Sequence, residues 1–77
     1  MRIHPSAAKH GIAAEDALHA AERWVFESEL GDDPRRVLRL GFDRSGRCLE
    51  TVVPQTHDGD LLLIHAMVAR AGHRALL

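Results

Sequence analysis

The chain has 77 residues, 45% of them hydrophobic and 27% charged, and its formal net charge is −1. That length predicts one domain, and the mixed charges on an apolar background exclude a disordered composition. No strongly basic total announces nucleic acid, so any contact with phosphate has to come from a local cluster.

The N-terminal stretch Met1-Arg2-Ile3-His4-Pro5 has no apolar core of signal-peptide length. Arg2-Ile3-His4 reads as a first edge strand. Pro5 favours a helix start, because its fixed φ suits the first turn. Residues 6–10 complete one or two helical turns, and Gly11 stops them in the left-handed position that follows a helix. A second helix is predicted over 13–23. Ala14, Ala17, Leu18, Ala21 and Val25 form its apolar stripe. Glu15 and Asp16 suit its positive end, and Arg23 its negative end. A stripe of alanine allows close approach to a sheet but gives little stability alone.

Trp24-Val25-Phe26-Glu27-Ser28 changes character and suits a strand. Trp24 is read as core, with an exposed apolar edge as the alternative. A turn is expected at 31–34, then a strand over 35–43 with Leu38, Leu40 and Phe42 on one face and Val37, Arg39 and Gly41 on the other. Asp43-Arg44-Ser45-Gly46 reads as a type I turn closed by glycine. The partner strand, 47–55, alternates Leu49, Thr51 and Val53 against Cys48, Glu50 and Val52. A second hairpin turn at 57–60 leads to a third meander strand over 61–67, which contains the longest apolar run of the chain. Four apolar residues in a row fit a strand buried on both faces. A helix over 68–77 closes the chain, with Val68, Ala71, Gly72, Ala75 and Leu76 on one stripe and Arg70, His73 and Arg74 opposite. The expected fold is therefore α+β: a small antiparallel sheet, built from a three-strand meander plus edge strands, with two N-terminal helices and one C-terminal helix.

Cys48 is the only cysteine. It cannot form an internal disulfide or a thiolate zinc cluster, it suits a reducing cytoplasm, and it reads as a small apolar filler. No run approaches the ~20 apolar residues of a membrane span. The expectation is a soluble cytoplasmic protein without membrane contact. A domain this small invites stabilisation by a second copy, as a homodimer, or by another protein. No cofactor is implied, because glycine cradles for nucleotides are absent. No metal is implied either, since the six histidines do not fall at metal-ligand spacing.

Placing Leu38, Leu40, Phe42, Leu49, Thr51, Val53, Leu62 and Ile64 on the core face leaves Arg39, Glu50 and His65 to converge on the other, bordered by Arg70 and Arg74. Arg, Glu and His are the parts for cutting RNA without a metal. Glu50 or His65 would take the 2′-hydroxyl proton, His65 would protonate the leaving oxygen, and Arg39 and Arg70 would hold the phosphate. Each has a plainer reading. Arg39 and Glu50 fit a cross-strand ion pair, His65 a hydrogen-bonded histidine near the sheet, Arg74 a solvated helix face, and Lys9 a favourable cation at a helix end. A one-residue slip in register would also flip every side chain.

Two stretches resemble a known family. Lys9-His10-Gly11-Ile12 followed by Glu15-Asp16-Ala17 is similar to the opening of BrnT-like toxins. Ile64-His65-Ala66-Met67-Val68-Ala69-Arg70 is similar to their Ile-Ile-Ser-Ala-Arg strand-to-helix passage. Between them, Leu40-Gly41, Gly46-Arg47 and Leu49-Glu50-Thr51-Val52-Val53 resemble the central hairpin. The resemblance covers most of the chain, in a consistent order. It implies a single RelE/BrnT-like toxin domain, helices packed on an antiparallel sheet, and a bacterial type II toxin–antitoxin system. It also implies a growth-inhibiting ribonuclease that binds RNA and is silenced by a cognate antitoxin protein. By position it makes Lys9, Arg39 and Arg70 the basic residues of the site, with His65 beside them. The catalytic candidates are then Arg39, Glu50, His65 and Arg70, and the RNA-binding candidates Lys9 and Arg74. The competing reading is a non-catalytic protein-binding module of the same fold, an inhibitor of a protein target or an inactive relic that pairs with a partner. Its motive is the apolar Trp24-Val25-Phe26 edge.

Overall fold

The computed structural model of the chain describes residues 1–32, 35–55 and 61–77. In chain order its elements are β1 (Arg2–Ile3), a 3₁₀ turn (Pro5–Ala8), α1 (Ala14–Glu22), β2 (Trp24–Asp32), β3 (Arg35–Phe42), β4 (Cys48–Pro54), β5 (Leu62–Leu63), β6 (His65–Val68) and α2 (Ala71–Arg74). The main sheet has four antiparallel strands in the order β2-β3-β4-β6, and β1 pairs with β5 in a short parallel ribbon. This is the α+β class expected from the sequence, with less helix.

The β3–β4 hairpin sets the frame. Its turn is held by Asp43, whose carboxylate accepts the backbone N–H groups of Ser45 at 2.9 Å and Arg47 at 2.8 Å. Gly46 supplies the positive φ, +84°. The Asp43 carboxyl is pulled two ways. Burial alone would raise its pKa, but the backbone and side-chain N–H groups of Arg47 and the backbone N–H of Ser45 outweigh burial and hold it below the usual range.

Register corrects the expected faces. Arg39 stands opposite Thr51, and Leu40 opposite Glu50. Val37, Arg39 and Gly41 therefore share a face with Leu49, Thr51 and Val53, and that face receives α1. Leu38, Leu40 and Phe42 lie on the reverse with Cys48, Glu50 and Val52. Alternation in β3 gave no guide, because Val37, Leu38, Arg39, Leu40 and Gly41 are all buried. Gly41 decides the matter. A Cβ there would lie 2.2 Å from the carbonyl oxygen of Ala20, so the helix rests directly on the strand backbone. Ala17, Ala20 and Ala21 pack there with Val37, Leu49, Val53, Leu63 and Ala66. Leu40, Cys48 and Ala69 form a smaller cluster with Phe26 on the reverse, while Phe42 is exposed.

Other expectations also change. The first helix shrinks to the 3₁₀ turn, capped by the backbone N–H of Ser6 on His4 Nδ1. The 61–67 strand is two strands, because residues 62–63 join β1 while 65–68 join β4. Leu63, rather than Leu62 or Ile64, then enters the core. The closing helix is reduced to α2, because the β4 ladder carries β6 through Val68 and the expected stripe of Ala71, Gly72, Ala75 and Leu76 is exposed. Gly72 weakens that helix further. Trp24 and Val25 are exposed on β2, one of the two outer strands of the sheet. The turn expected at 31–34 is strand as far as Asp32, and the rest of it lies outside the described residues, as does the turn expected at 57–60. Among the described residues no helix is long and apolar enough to cross a membrane.

Candidate functional site

Glu50 is the centre of the reverse face. It sits in β4 between Leu40 and Met67 with 0% of its surface exposed. A carboxylate withdrawn from water costs several kcal/mol unless it is paired. Here both oxygens are paired. Arg70 Nε donates to Oε1 at 2.8 Å, and Oε2 contacts His73 Nδ1. The partners come from one short segment. Arg70 stands at the N-terminal boundary of α2 and His73 lies three positions on, so the two share a side of the helix. Ala69 fixes the approach, donating its backbone N–H to the Cys48 carbonyl at 3.0 Å. The Arg70 side chain is 65% exposed, so the ion pair has one end in the interior and the other in solvent.

His65 lies on the same face. It stands opposite Val52, two positions from Met67, which faces Glu50. Its ring meets that of His10 edge-on, with centroids 5.2 Å apart and planes at 75°. The 3₁₀ turn carries His10 there, and it is tied to the start of β6 by Ser6 Oγ, which donates to the Ile64 carbonyl at 2.7 Å. Burial pushes the His65 pKa below its ordinary 6.5. The Glu50 charge works against that, while His10, Arg70 and Lys9 add to the downward push. Arg74 borders the same region. Its charge faces the Cys48 thiol, whose pKa burial raises, with Arg74 opposing and Glu50 adding.

Arg39 is not part of this group. It lies on the α1 face, where Nε donates to Glu27 at 2.6 Å and Nη1 to the Ala21 carbonyl at 3.1 Å. Its guanidinium also stands over the Trp24 ring, 5.7 Å from the centroid. The expected convergence of Arg39 with Glu50, and the cross-strand ion pair between them, are both replaced by the Glu27 pair. The physical reason is the register, which puts the whole sheet between the two side chains.

Of the sequence candidates, then, the fold gathers Glu50, His65 and Arg70, sets Lys9 and Arg74 at the border, and separates Arg39. It adds two histidines. His73 was on the polar side of the closing segment, and its spacing of three from Arg70 was the available signal. His10 was quoted in the Lys9-His10-Gly11 motif without a role, and nothing local to it announces the contact with His65. Among the described residues no three His, Cys, Asp or Glu side chains form a metal-sized cluster.

No family model matches the chain, and no curated protein or solved structure matches it.

The arrangement joins imidazole nitrogens to groups that carry positive charge. His65, His73 and His10 supply the imidazoles. Arg70, Lys9 and Arg74 supply positive charge for an anion, and the planar fork of a guanidinium matches an oxyanion in shape.

Proposed function

We propose that this protein is the toxin of a bacterial type II toxin–antitoxin system, a metal-independent endoribonuclease that acts on RNA to inhibit translation. One observation carries the reading: a fully buried Glu50 shared between Arg70 and His73, with His65 on the same face. General acid–base groups beside an exposed guanidinium are what phosphodiester cleavage needs. The BrnT-like motif order supports the same reading, and with it a cognate antitoxin as partner. The protein acts in the cytoplasm on this reading.

The test is induced expression in bacteria, with growth followed and total RNA inspected from the same cells. Arrest with cleaved transcripts is expected, and both should disappear in Arg70→Ala and His65→Ala variants that still fold. Arrest with intact RNA, or folded protein that leaves growth untouched, would overturn the ribonuclease.

A second reading is favoured by the outer strand. Trp24 is 44% exposed and Val25 58%, with Leu30 also exposed, all on β2. Apolar side chains on an open edge suit a non-catalytic module that binds another protein or a second copy. Tight association without RNA cleavage would move the conclusion there.

A further inference from the structure

We infer that His73 and His65 divide the acid–base work of RNA cleavage, with His73 as the acid, His65 as the base and Glu50 as the positioning residue of His73; the inference rests on the ribonuclease reading above. Glu50 has no exposed surface, so it does not touch a substrate. Both of its oxygens are already engaged, by Arg70 and by His73. It therefore acts through the imidazole. Holding Nδ1 of His73 fixes the ring and its tautomer and leaves Nε2, on the far side of the ring, for an incoming group. A carboxylate fixed against one ring nitrogen keeps the other aimed where a leaving oxygen needs a proton.

His65 has the opposite surroundings. Its ring packs edge-on against His10, and Lys9 and Arg70 lie within electrostatic reach. Partial burial, helped by His10, Arg70 and Lys9, outweighs the Glu50 charge and favours the uncharged ring, the form that accepts a proton. Two imidazoles on one side of the sheet, one held by a buried carboxylate and one packed against another ring, offer an acid and a base. Arg70 completes the set. A guanidinium carries five N–H donors, and the Nε donor goes to Glu50, so the terminal nitrogens of this exposed side chain are available to a phosphate.

The step that follows needs no co-reactant. His65 takes the proton of a ribose 2′-hydroxyl, and the 2′-oxygen bonds to phosphorus. The bond from phosphorus to the 5′-oxygen breaks, and His73 gives that oxygen its proton. The products are a 2′,3′-cyclic phosphate and a 5′-hydroxyl, and the two histidines have exchanged protonation states. The substrate class is RNA with a free 2′-hydroxyl at the cut, and DNA is refused.

The test uses the purified full chain and an oligoribonucleotide, with a second oligonucleotide whose 5′-bridging oxygen at the cut is sulfur. A thiolate leaves without a proton, so the sulfur substrate has no use for an acid. On ordinary RNA, His73→Ala and His65→Ala should each lose on the order of 10²–10⁴-fold in rate. The sulfur substrate should recover most of that loss for His73→Ala and none of it for His65→Ala. Glu50→Gln should behave like His73→Ala, losing rate on RNA and recovering it on sulfur, which a purely structural role would not produce. His73→Gln and His65→Gln, with circular dichroism on every variant, guard against loss of fold. If the parent cuts RNA but sulfur rescues His65→Ala, rescues neither histidine variant, or the products lack the cyclic phosphate, the inference is wrong and the ribonuclease stands. If the folded parent cuts neither substrate, the ribonuclease reading fails and the inference falls with it.

Discussion

The two faces of the main sheet each bury one charged side chain, and they handle it differently. On the α1 face, Arg39 is enclosed by Glu27, the Ala21 carbonyl and the Trp24 ring, and its charge is spent within the fold. On the reverse face, Glu50 is bound by Arg70 and His73, residues of a short exposed segment that reaches solvent. A buried charge closed on all sides is a structural part. A buried charge whose partners reach solvent can set the state of groups that meet a ligand. On the ribonuclease reading, stability belongs to one face and chemistry to the other, a division that can be broken from either side.

The largest effect is expected at Gly41. An added Cβ would meet the Ala20 carbonyl oxygen at 2.2 Å and its carbon at 3.0 Å, both backbone atoms of α1. The helix would have to lift from the sheet, so Gly41→Ala should cost about 3 kcal/mol. Urea unfolding measures it. A loss below about 1 kcal/mol would mean that α1 does not rest on the strand as described.

Arg39→Ala comes next, at about 2 kcal/mol, the scale of hydrogen bonds to charged groups. Glu27 is partly exposed and water can reach it, which keeps the loss below that of a fully buried pair. The folded fraction should cleave RNA at the parent's rate. If instead stability is kept and cleavage is lost, Arg39 belongs to the site after all and the division between faces fails.

A smaller effect separates the faces by pH. His65 has a pKa below its ordinary 6.5 in the fold, so between those two values the unfolded chain holds the extra proton. Stability should therefore fall as pH drops through about 6.5 and level off once the folded value is passed. Burial is the main cause; the Glu50 charge reduces it, and the charges of His10, Arg70 and Lys9 add to it. Asp16 and Asp43 act later. Arg44 donates to Asp16, and the turn N–H groups outweigh burial at Asp43, so both lie below 3.8 and their stabilisation is lost only as pH falls past that value. Melting temperature against pH should thus lose its first step in His65→Gln and keep the second. An unchanged first step in that variant would remove His65 as its source.

What the sequence revealed follows from what decides each feature. The β3–β4 hairpin was legible because local chemistry specifies it, with Asp43 and Gly46 at the turn and alternating strands either side. The α1 helix was legible from its alanine spacing and its acidic first turn. The faces were not, because β3 is buried on both sides and the choice rests on a single contact between Gly41 and Ala20. The split of the 61–67 strand was hidden for a related reason. A continuous apolar run does not show where the chain changes partner from β1 to β4. In the site, Glu50 and Arg70 were named but the link through His73 was not, since it joins residues 23 positions apart. His10 was hidden in the same way, as its contact with His65 depends on where the 3₁₀ turn is tied.

Trp24 gives the smallest and most discriminating prediction. The sequence placed this ring in the core, yet it is nearly half exposed and touches the buried Arg39 charge at the sheet edge. If its contribution is only that contact, Trp24→Ala should cost about 0.5–1 kcal/mol. A double-mutant cycle with Arg39→Ala should return most of that loss as coupling, since the two side chains share one interaction. A loss above about 2 kcal/mol with no coupling would mean that the ring is packed like a core residue. The same variant also separates the two functional readings. On the ribonuclease reading, cleavage of RNA should survive it, because Trp24 lies across the sheet from Glu50. Weakened binding to a partner protein with cleavage intact would make β2 a docking edge that is independent of the Glu50 face.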